Sequence, residues 1–178
     1  MKRILALLVF LTPLFLSAQQ EGNFVDWSVK RLDWDDFKAS PVKNSDAAAL
    51  TATHLGFSYS LSNSRVSYEI ICRFDKTKSW GLVKTEWILK HEQGHFDIAE
   101  IFARKLKREL AEYQFNKKTF QKDLDAIYQR VIEEKEAFQL NYDTETDYSR
   151  NKRKQLEWLK KIEEILEETQ SYSAYNSK

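Results

Sequence analysis

Residues 79–106, SWGLVKTEWILKHEQGHFDIAEIFARKL, decide the fold class of this 178-residue chain. From about Leu82 the apolar and aromatic side chains recur at steps of three and four residues, which is the spacing of an amphipathic helix. The positions on this face are Trp87, Ile88, His91, His95, Ile98, Phe102, Leu106 and Leu110. The stretch therefore predicts a long helix that carries two histidines on one side.

The segment before this helix predicts a small antiparallel sheet. Residues 51–61 and residues 66–74 each alternate between apolar and polar side chains, and the polar residues 62–64 lie between them. Two such runs around a short polar turn are typical of a β-hairpin. Residues 25–29 predict a third short strand. Cys72 falls on the apolar side of its run, so we expect it to be buried as a small hydrophobic residue.

Two further helices are expected after the long one. The second runs from about residue 119 to 140, and the polar stretch 141–149, NYDTETDYS, separates it from a third that carries Leu156, Leu159, Ile162 and Leu166. Residues 171–178 are predicted to be a disordered polar tail. The predicted fold class is α+β, in which a small antiparallel sheet precedes a long helix and two further helices in a single domain of residues 19–170.

The N-terminus has the pattern of a cleaved signal peptide. Lys2 and Arg3 precede an apolar run, and small residues end it at Ala18. The run is shorter than the roughly 20 residues of a membrane-spanning helix, and no cysteine follows it to carry a lipid. We therefore expect a periplasmic or secreted protein without a stable membrane anchor once residues 1–18 are removed.

The overall charge argues against a nucleic-acid-binding function. The chain has 28 Lys+Arg against 27 Asp+Glu, and removal of Lys2 and Arg3 leaves 26 against 27, a net charge of −1. A nucleic-acid-binding domain normally has a clear basic excess. One cysteine also excludes an internal disulfide framework.

The strongest functional signal is the HExxH motif of residues 91–95, HEQGH. Positions four apart nearly superimpose on a helix, so His91 and His95 can bind one Zn²⁺ from the same face. Glu92 lies about 100° further round the helix, where it can reach a water at the metal rather than the metal itself. This geometry predicts a zinc-activated water with Glu92 as general base in peptide-bond hydrolysis.

Three other residues of the helix carry expectations of their own. Gly94 is costly inside a helix, so we expect another element to pack closely against it. Glu100 lies opposite His91 and is predicted to form a solvated ion pair with Arg104 rather than to bind metal. Asp97 is either a surface residue or a group that orients a neighbouring element.

A catalytic zinc normally has three protein ligands, and the third must come from outside the helix. His54 lies on the polar face of its predicted strand, where it either faces a cleft or is a surface histidine. Four further candidates, Asp143, Glu145, Asp147 and Tyr148, lie in the polar stretch after the second predicted helix. That stretch comes near the metal if the second helix returns antiparallel to the first, but it could equally be a polar capping loop.

Three segments resemble the bacterial family called domain of unknown function 922, described as predicted secreted zinc-dependent proteases. Residues 79–106 resemble its helix motif, and residues 32–41, LDWDDFKASP, are similar to its Trp-x-x-Phe…Pro segment. Residues 142–162, YDTETDYSRNKRKQLEWLKKI, are similar to its Tyr-Asp-x-x-Thr-x-His-(Gly/Ser)…Gln-x-x-Trp segment. The resemblance covers about residues 31–166, with Tyr148 where the family usually has histidine.

The resemblance implies a zincin-like fold and an exported metalloprotease that acts on a peptide or protein substrate. His91 and His95 match the metal pair and Glu92 the catalytic acid/base. We take Asp143 as the third zinc ligand and Tyr148 as a hydrogen-bond donor to the developing oxyanion, with the Tyr148 phenolate, Glu145 and His54 as alternative ligands. The alternative function is a non-catalytic zincin-like binding module of the envelope.

Overall fold

The computed structural model describes residues 22–27, 31–62 and 65–173. The strands are β1 (Phe24–Asp26), β2 (Ala49–Leu50), β3 (Thr53–Ser62), β4 (Arg65–Asp75) and β5 (Trp80–Gly81), and the long helices are α1 (Glu86–Glu112), α2 (Phe120–Thr146) and α3 (Lys152–Glu168). The predicted α+β class, with a small antiparallel sheet followed by three helices, is confirmed. The predicted signal peptide, residues 1–18, lies outside the described residues. Within the described part of the chain, no helix combines the length and the apolar character needed to span a bilayer.

The predicted hairpin is formed by β3 and β4. Leu55 pairs with Cys72 and Phe57 with Ile70 in antiparallel register, and Leu55, Ile70 and Cys72 are buried. β1 pairs with the other edge of β4, so the strand order is β1-β4-β3. β1 is shorter than the predicted third strand, whose last residue, Val29, lies outside the described residues. A separate two-stranded sheet joins β2 to β5.

The helix α1 lies at the centre of the molecule. It begins after Thr85, whose side-chain oxygen accepts a hydrogen bond from the Ile88 amide at 3.2 Å, as a helix N-cap does. It contacts β3 and β4 of the sheet and both of the other long helices, α2 and α3. Phe96 meets Phe74 of the sheet with ring centroids 5.9 Å apart. Because α1 is covered from both sides, most of its residues between 91 and 106 are buried.

The Glu100–Arg104 pair is buried, so the prediction of a solvated pair is wrong. Both residues are 1% exposed, and Arg104 Nε lies 2.8 Å from Glu100 Oε1. Arg104 Nη1 also donates to the Leu166 carbonyl at 2.6 Å, and its guanidinium lies 4.9 Å from the centre of the Trp27 ring. The helical period predicted that only the face of α1 carrying His91 and His95 is covered. In the structure, α3 and the segment after β1 also cover the opposite face, where Glu100 and Arg104 lie.

The helix α2 is longer than predicted and includes the first six residues of the expected polar break. It ends at Thr146, and Asp147 takes a left-handed conformation as its C-cap. Tyr142 is 0% exposed, and the Thr146 hydroxyl donates to the Tyr142 carbonyl at 2.7 Å. The burial of these two side chains extends the helix through a polar sequence. Asp143 and Glu145 are therefore helical residues and not loop residues.

The third helix, α3, is present with a buried face displaced from the predicted one. Its buried residues are Gln155, Trp158, Ile162 and Leu166, whereas Leu156 is 59% exposed. Gln155 Nε2 donates to the Trp87 carbonyl of α1 at 3.1 Å, which turns that polar side chain inward. Gln170–Tyr172 form a 3-10 turn, so the first residues of the predicted tail are ordered. Residues 174–178 lie outside the described part of the chain.

Candidate metal centre

His91 and His95 lie on the same face of α1 and point toward one residue of α2. The ε nitrogens of both imidazoles are 3.1 Å from Oδ1 of Asp143. The ring centroids are 4.9 Å apart and the ring planes are nearly perpendicular, at 88°. α2 therefore returns along α1, as the placement of a third ligand after the second helix required.

These three side chains form a group whose chemistry fits a metal ion. One ligand atom from each of His91, His95 and Asp143 lies within 4.8 Å of the others. Imidazole nitrogen and carboxylate oxygen are ordinary zinc ligands with bonds of about 2.0–2.2 Å, which place neighbouring ligand atoms roughly 3.4 Å apart in a tetrahedral arrangement. The 3.1 Å separations are close to that spacing. A divalent ion thus fits the donor set with small adjustments.

Gln139 of α2 orients the His95 imidazole. Its side-chain carbonyl is hydrogen-bonded to His95 Nδ1, and its amide nitrogen donates to the His95 main-chain carbonyl at 3.0 Å. A proton on Nδ1 leaves the Nε2 lone pair for a metal, so this contact selects the ligating tautomer. Sequence reasoning missed Gln139, although it lies four residues before Asp143, on the same side of the helix.

Tyr142 of α2 packs against the His91 side chain and main chain. Its ring stacks on the His91 imidazole with centroids 4.6 Å apart and an interplanar angle of 18°. Its hydroxyl donates to the His91 carbonyl at 3.2 Å. The ring also contacts Gly94, where an added Cβ would lie 2.5 Å from the Tyr142 hydroxyl oxygen and 2.9 Å from Cζ. The expected close packing at Gly94 is confirmed, and its partner is the tyrosine beneath the site.

Replacing Gly94 by alanine is expected to lower the free energy of unfolding by about 1–3 kcal/mol. At an uncrowded helix position, replacing glycine by alanine raises the free energy of unfolding by about 1 kcal/mol. A decrease on Gly94→Ala therefore indicates a steric contact with Tyr142. Urea unfolding of the metal-free protein measures it. In a Tyr142→Phe background, which lacks the nearest oxygen, the loss should shrink. A Gly94→Ala protein more stable than wild type would contradict this packing.

The neighbouring charges and the burial of the site shift the pKa values of His95, Asp143 and Tyr142. Burial disfavours the charged form of His95, but the Asp143 and Glu92 carboxylates and Gln139 outweigh it and raise its pKa. Burial acts upward on Asp143 as well, yet hydrogen bonds and charge from His91 and His95 hold its pKa well below the usual range. Burial, with the nearby carboxylates, raises the pKa of Tyr142. Asp143 is therefore an anion, and Tyr142 a neutral hydrogen-bond donor.

Glu92 lies beside this group, at the floor of a cleft. It is 4% exposed, and its main-chain carbonyl accepts a hydrogen bond from Thr51 Oγ1 at 3.3 Å. The cleft has a volume of about 860 Å³, and residues 45–53, which include β2, form one wall. His91, Glu92 and His95 line it together with side chains of α2, namely Lys135, Glu136, Gln139 and Asp143.

Tyr148 lies at the rim of the cleft and outside the three-residue group. Its side chain is 55% exposed. Asp147, Tyr148 and Ser149 are consecutive left-handed residues with φ of 48°, 50° and 73°, a conformation unfavourable for residues other than glycine. Trp87 Nε1 donates to the Ser149 carbonyl at 2.8 Å and helps to hold this turn against the cleft. The Tyr148 side chain is therefore positioned to contact a ligand bound in the cleft.

The two remaining alternative ligands lie elsewhere. His54 is exposed on the opposite face of β3 from Leu55 and is absent from the cleft lining. Of the two alternatives for His54, the surface histidine is the one present in the structure. Successive strand residues point to opposite faces, and Leu55 occupies the inward one. The Glu145 carboxylate accepts a hydrogen bond from Trp158 Nε1 at 3.0 Å, which directs it toward α3.

The Asp97 carboxylate of α1 binds side chains of the segment after β1. Asp97 is 4% exposed, and its carboxylate accepts hydrogen bonds from Trp27 Nε1 at 2.9 Å and from Gln93 Nε2 at 2.8 Å. Arg31 also pairs with it. Of the two expectations for Asp97, the group that orients a neighbouring element is the one present in the structure.

Fold and site together define an α+β protein with a candidate metal centre built from an HExxH helix and an aspartate of the following helix. The chain belongs to the family described as Bacterial protein of unknown function (DUF922), whose model matches residues 27–150. The predicted family is confirmed; the match includes the first two segments and ends at residue 150, so residues 151–162 of the third segment lie outside it. Searches of curated proteins and of solved structures return no match.

Proposed function

We propose that this protein is an exported, zinc-dependent peptidase with a zincin-like site. The observation that carries the proposal is the convergence of both histidine ε nitrogens on one Asp143 oxygen, with buried Glu92 beside them in an open cleft. Two imidazoles and one carboxylate are a ligand set of catalytic zinc sites. The N-terminal pattern of residues 1–18 is the support for export.

His91, His95 and Asp143 would hold the ion, which when bound acts as a Lewis acid toward a carbonyl oxygen and lowers the pKa of water to about 7. Glu92 is the general base: its carboxylate takes a proton from the attacking water and passes it to the leaving amine. Its low exposure strengthens that role, since a base shielded from bulk water exchanges its proton with the substrate.

Tyr148 is proposed as a hydrogen-bond donor to the oxyanion that develops on the scissile carbonyl. Its exposed hydroxyl-bearing side chain lies at the rim of the cleft, and the left-handed turn holds its backbone there. Backbone strain of this kind persists where the surroundings maintain it, and it is frequent at functional sites. Gln139 keeps His95 in the tautomer that binds metal.

The substrate is proposed to be a peptide or protein segment that enters the cleft in an extended form. Its volume of about 860 Å³ is in the range of ligand-binding clefts. The side wall made by residues 45–53 includes β2, and a strand beside a cleft can pair with an extended peptide. β3, which belongs to the other sheet, is less suited to such pairing, because its Leu55 carbonyl already accepts a hydrogen bond from the Tyr128 hydroxyl of α2 at 2.8 Å.

The test uses the chain without its first 18 residues. Bound zinc is measured by mass spectrometry, and cleavage of a mixed peptide library is compared between wild type and Glu92→Gln. We expect one zinc per chain in both proteins and at least a 100-fold lower cleavage rate in the variant, because general-base catalysis contributes about 10²–10⁴-fold. Glu92→Gln retains shape and removes the base, so circular dichroism should be unchanged.

Each other outcome of this experiment has a definite meaning. Stoichiometric zinc without Glu92-dependent cleavage would exclude the peptidase and favour the alternative, a non-catalytic binding module that retains the metal. Wild-type protein that binds no more zinc than His91→Ala would exclude both functions.

A further inference from the structure

Lys135 is a buried lysine in the wall of the cleft. Its side chain is 9% exposed, and its ammonium lies 2.8 Å from Glu136 Oε1, a carboxylate whose side chain is 65% exposed. In the part of the chain that the structure describes, Glu136 is the ion-pair partner recorded for Lys135. A buried charge is costly unless it is paired, and a solvated carboxylate compensates it weakly. An ammonium has three donors, so the cleft can offer Lys135 a second acceptor.

Lys135 belongs to the same side of α2 as the candidate metal centre. Lys135, Gln139 and Asp143 follow one another at steps of four residues, and all three line the cleft. At about 1.5 Å per residue, Lys135 lies about 12 Å along the helix from Asp143. An extended peptide rises about 3.3–3.4 Å per residue. If a peptide is cleaved at the metal centre and runs along α2, the residue next to Lys135 is therefore the third or fourth residue from the cleaved bond.

The part of the cleft lining that comes from β2 and from the segment after β5 has a different chemistry. Leu50, Leu82 and Val83 are 40%, 56% and 46% exposed and line the cleft. The amides of Leu82 and Val83 both donate to the Ala48 carbonyl, at 2.8 and 2.9 Å, which holds these apolar side chains together beside β2. The cleft thus has an apolar wall on the β2 side and a cationic group on the α2 side.

We infer that Lys135 is a specificity-determining residue that binds a carboxylate of the substrate three or four residues from the cleaved bond. The inference rests on the proposed peptidase function. The substrate class is then an extended peptide with an acidic group at that distance and apolar side chains nearer the cut. The acidic group is either an Asp or Glu side chain or the C-terminal carboxylate, since both present the same oxygens to the ammonium.

The experiment uses ten-residue peptides with leucine near the centre and a single Glu or Gln moved along the chain. Each peptide is made with a free and with an amidated C-terminus, which separates the two sources of carboxylate. The zinc-loaded chain without its first 18 residues is assayed for kcat/KM as wild type, Lys135→Met and Lys122→Met. Lys122 is exposed on the same helix, outside the cleft, and serves as the matched control. Binding of the same peptides to Glu92→Gln, with and without Lys135→Met, is measured by fluorescence anisotropy.

At one position of the scan, wild type and Lys122→Met should prefer the carboxylate over its amide by about tenfold or more, as expected for a charge-assisted hydrogen bond. Lys135→Met should reduce this preference to less than twofold. Methionine replaces the buried ammonium by an apolar side chain of similar length. Replacing buried charge by apolar groups of similar volume often leaves protein stability unchanged or higher. Lys135→Gln is the second variant, should the first fail to fold.

Cleavage without any carboxylate preference, or a preference that survives in Lys135→Met, would overturn the inference while leaving the peptidase in place. Lys135-dependent binding of the acidic peptide to Glu92→Gln, with no cleavage by wild type, would support the carboxylate site and remove the peptidase. Absence of both cleavage and selective binding would overturn the inference together with the function on which it rests.

Discussion

Asp143→Ala is expected to lower the affinity for zinc by more than about 100-fold and to remove peptide hydrolysis with it. Loss of a group that merely orients a ligand costs about 10–100-fold in metal affinity, and we propose Asp143 as a ligand itself. Its Oδ1 lies 3.1 Å from both histidine ε nitrogens. Competition with a chromophoric chelator measures the affinity, and circular dichroism reports whether the variant is folded.

The controls for Asp143 are the other residues that the sequence offered as ligands. Glu145→Gln keeps the acceptor for Trp158 Nε1, His54→Ala alters an exposed strand residue, and Tyr148→Phe removes the phenol at the rim. All three should bind zinc as wild type does. A loss of zinc in Tyr148→Phe as large as that in Asp143→Ala would transfer the third ligand to the phenolate.

Arg104→Met is expected to lower the free energy of unfolding by about 3–5 kcal/mol, because it leaves the Glu100 carboxylate buried without this partner. Both side chains are at most 1% exposed. Arg104 also donates to the Leu166 carbonyl and lies over the Trp27 ring, so it connects α1, the end of α3 and the segment after β1. Urea unfolding of the metal-free protein gives the value.

A double-mutant cycle separates the ion pair from the other contacts of Arg104. Arg104→Met combined with Glu100→Gln should recover part of the loss, since a neutral amide is less costly to bury than a carboxylate that has lost the positive charge beside it. Lys90→Met breaks the exposed Glu86–Lys90 pair of the same helix and should leave the urea midpoint close to that of wild type, because solvent screens an exposed pair. An Arg104→Met effect as small as that of Lys90→Met would show that the buried pair contributes nothing net.

Much of the fold could be predicted because its signals are local. The hairpin follows from the period-two alternation in β3 and β4, and α1 follows from steps of three and four. The long strand pair needs no information beyond its own sequence and a polar turn. The end of α2 was missed because residues 141–146 are polar by composition, and only the burial of Tyr142 against His91 extends the helix through them.

The candidate site divides in the same way. The sequence by itself determined that His91 and His95 share a face, that Glu92 lies beside them and that Gly94 is closely packed, because helical periodicity fixes relative directions within one element. Only the tertiary structure decided which distant groups meet that face. Asp143 and Gln139 meet it because α2 packs antiparallel along α1, and the same packing places Lys135 in the lining of the cleft. His54 is turned away because Leu55 takes the inward side of β3. Glu100 and Arg104 are buried on the opposite face of α1 by α3 and by the segment after β1. The helical period of α1 carries no signal of this second covering layer, because it reports only the spacing of the apolar residues within α1 itself.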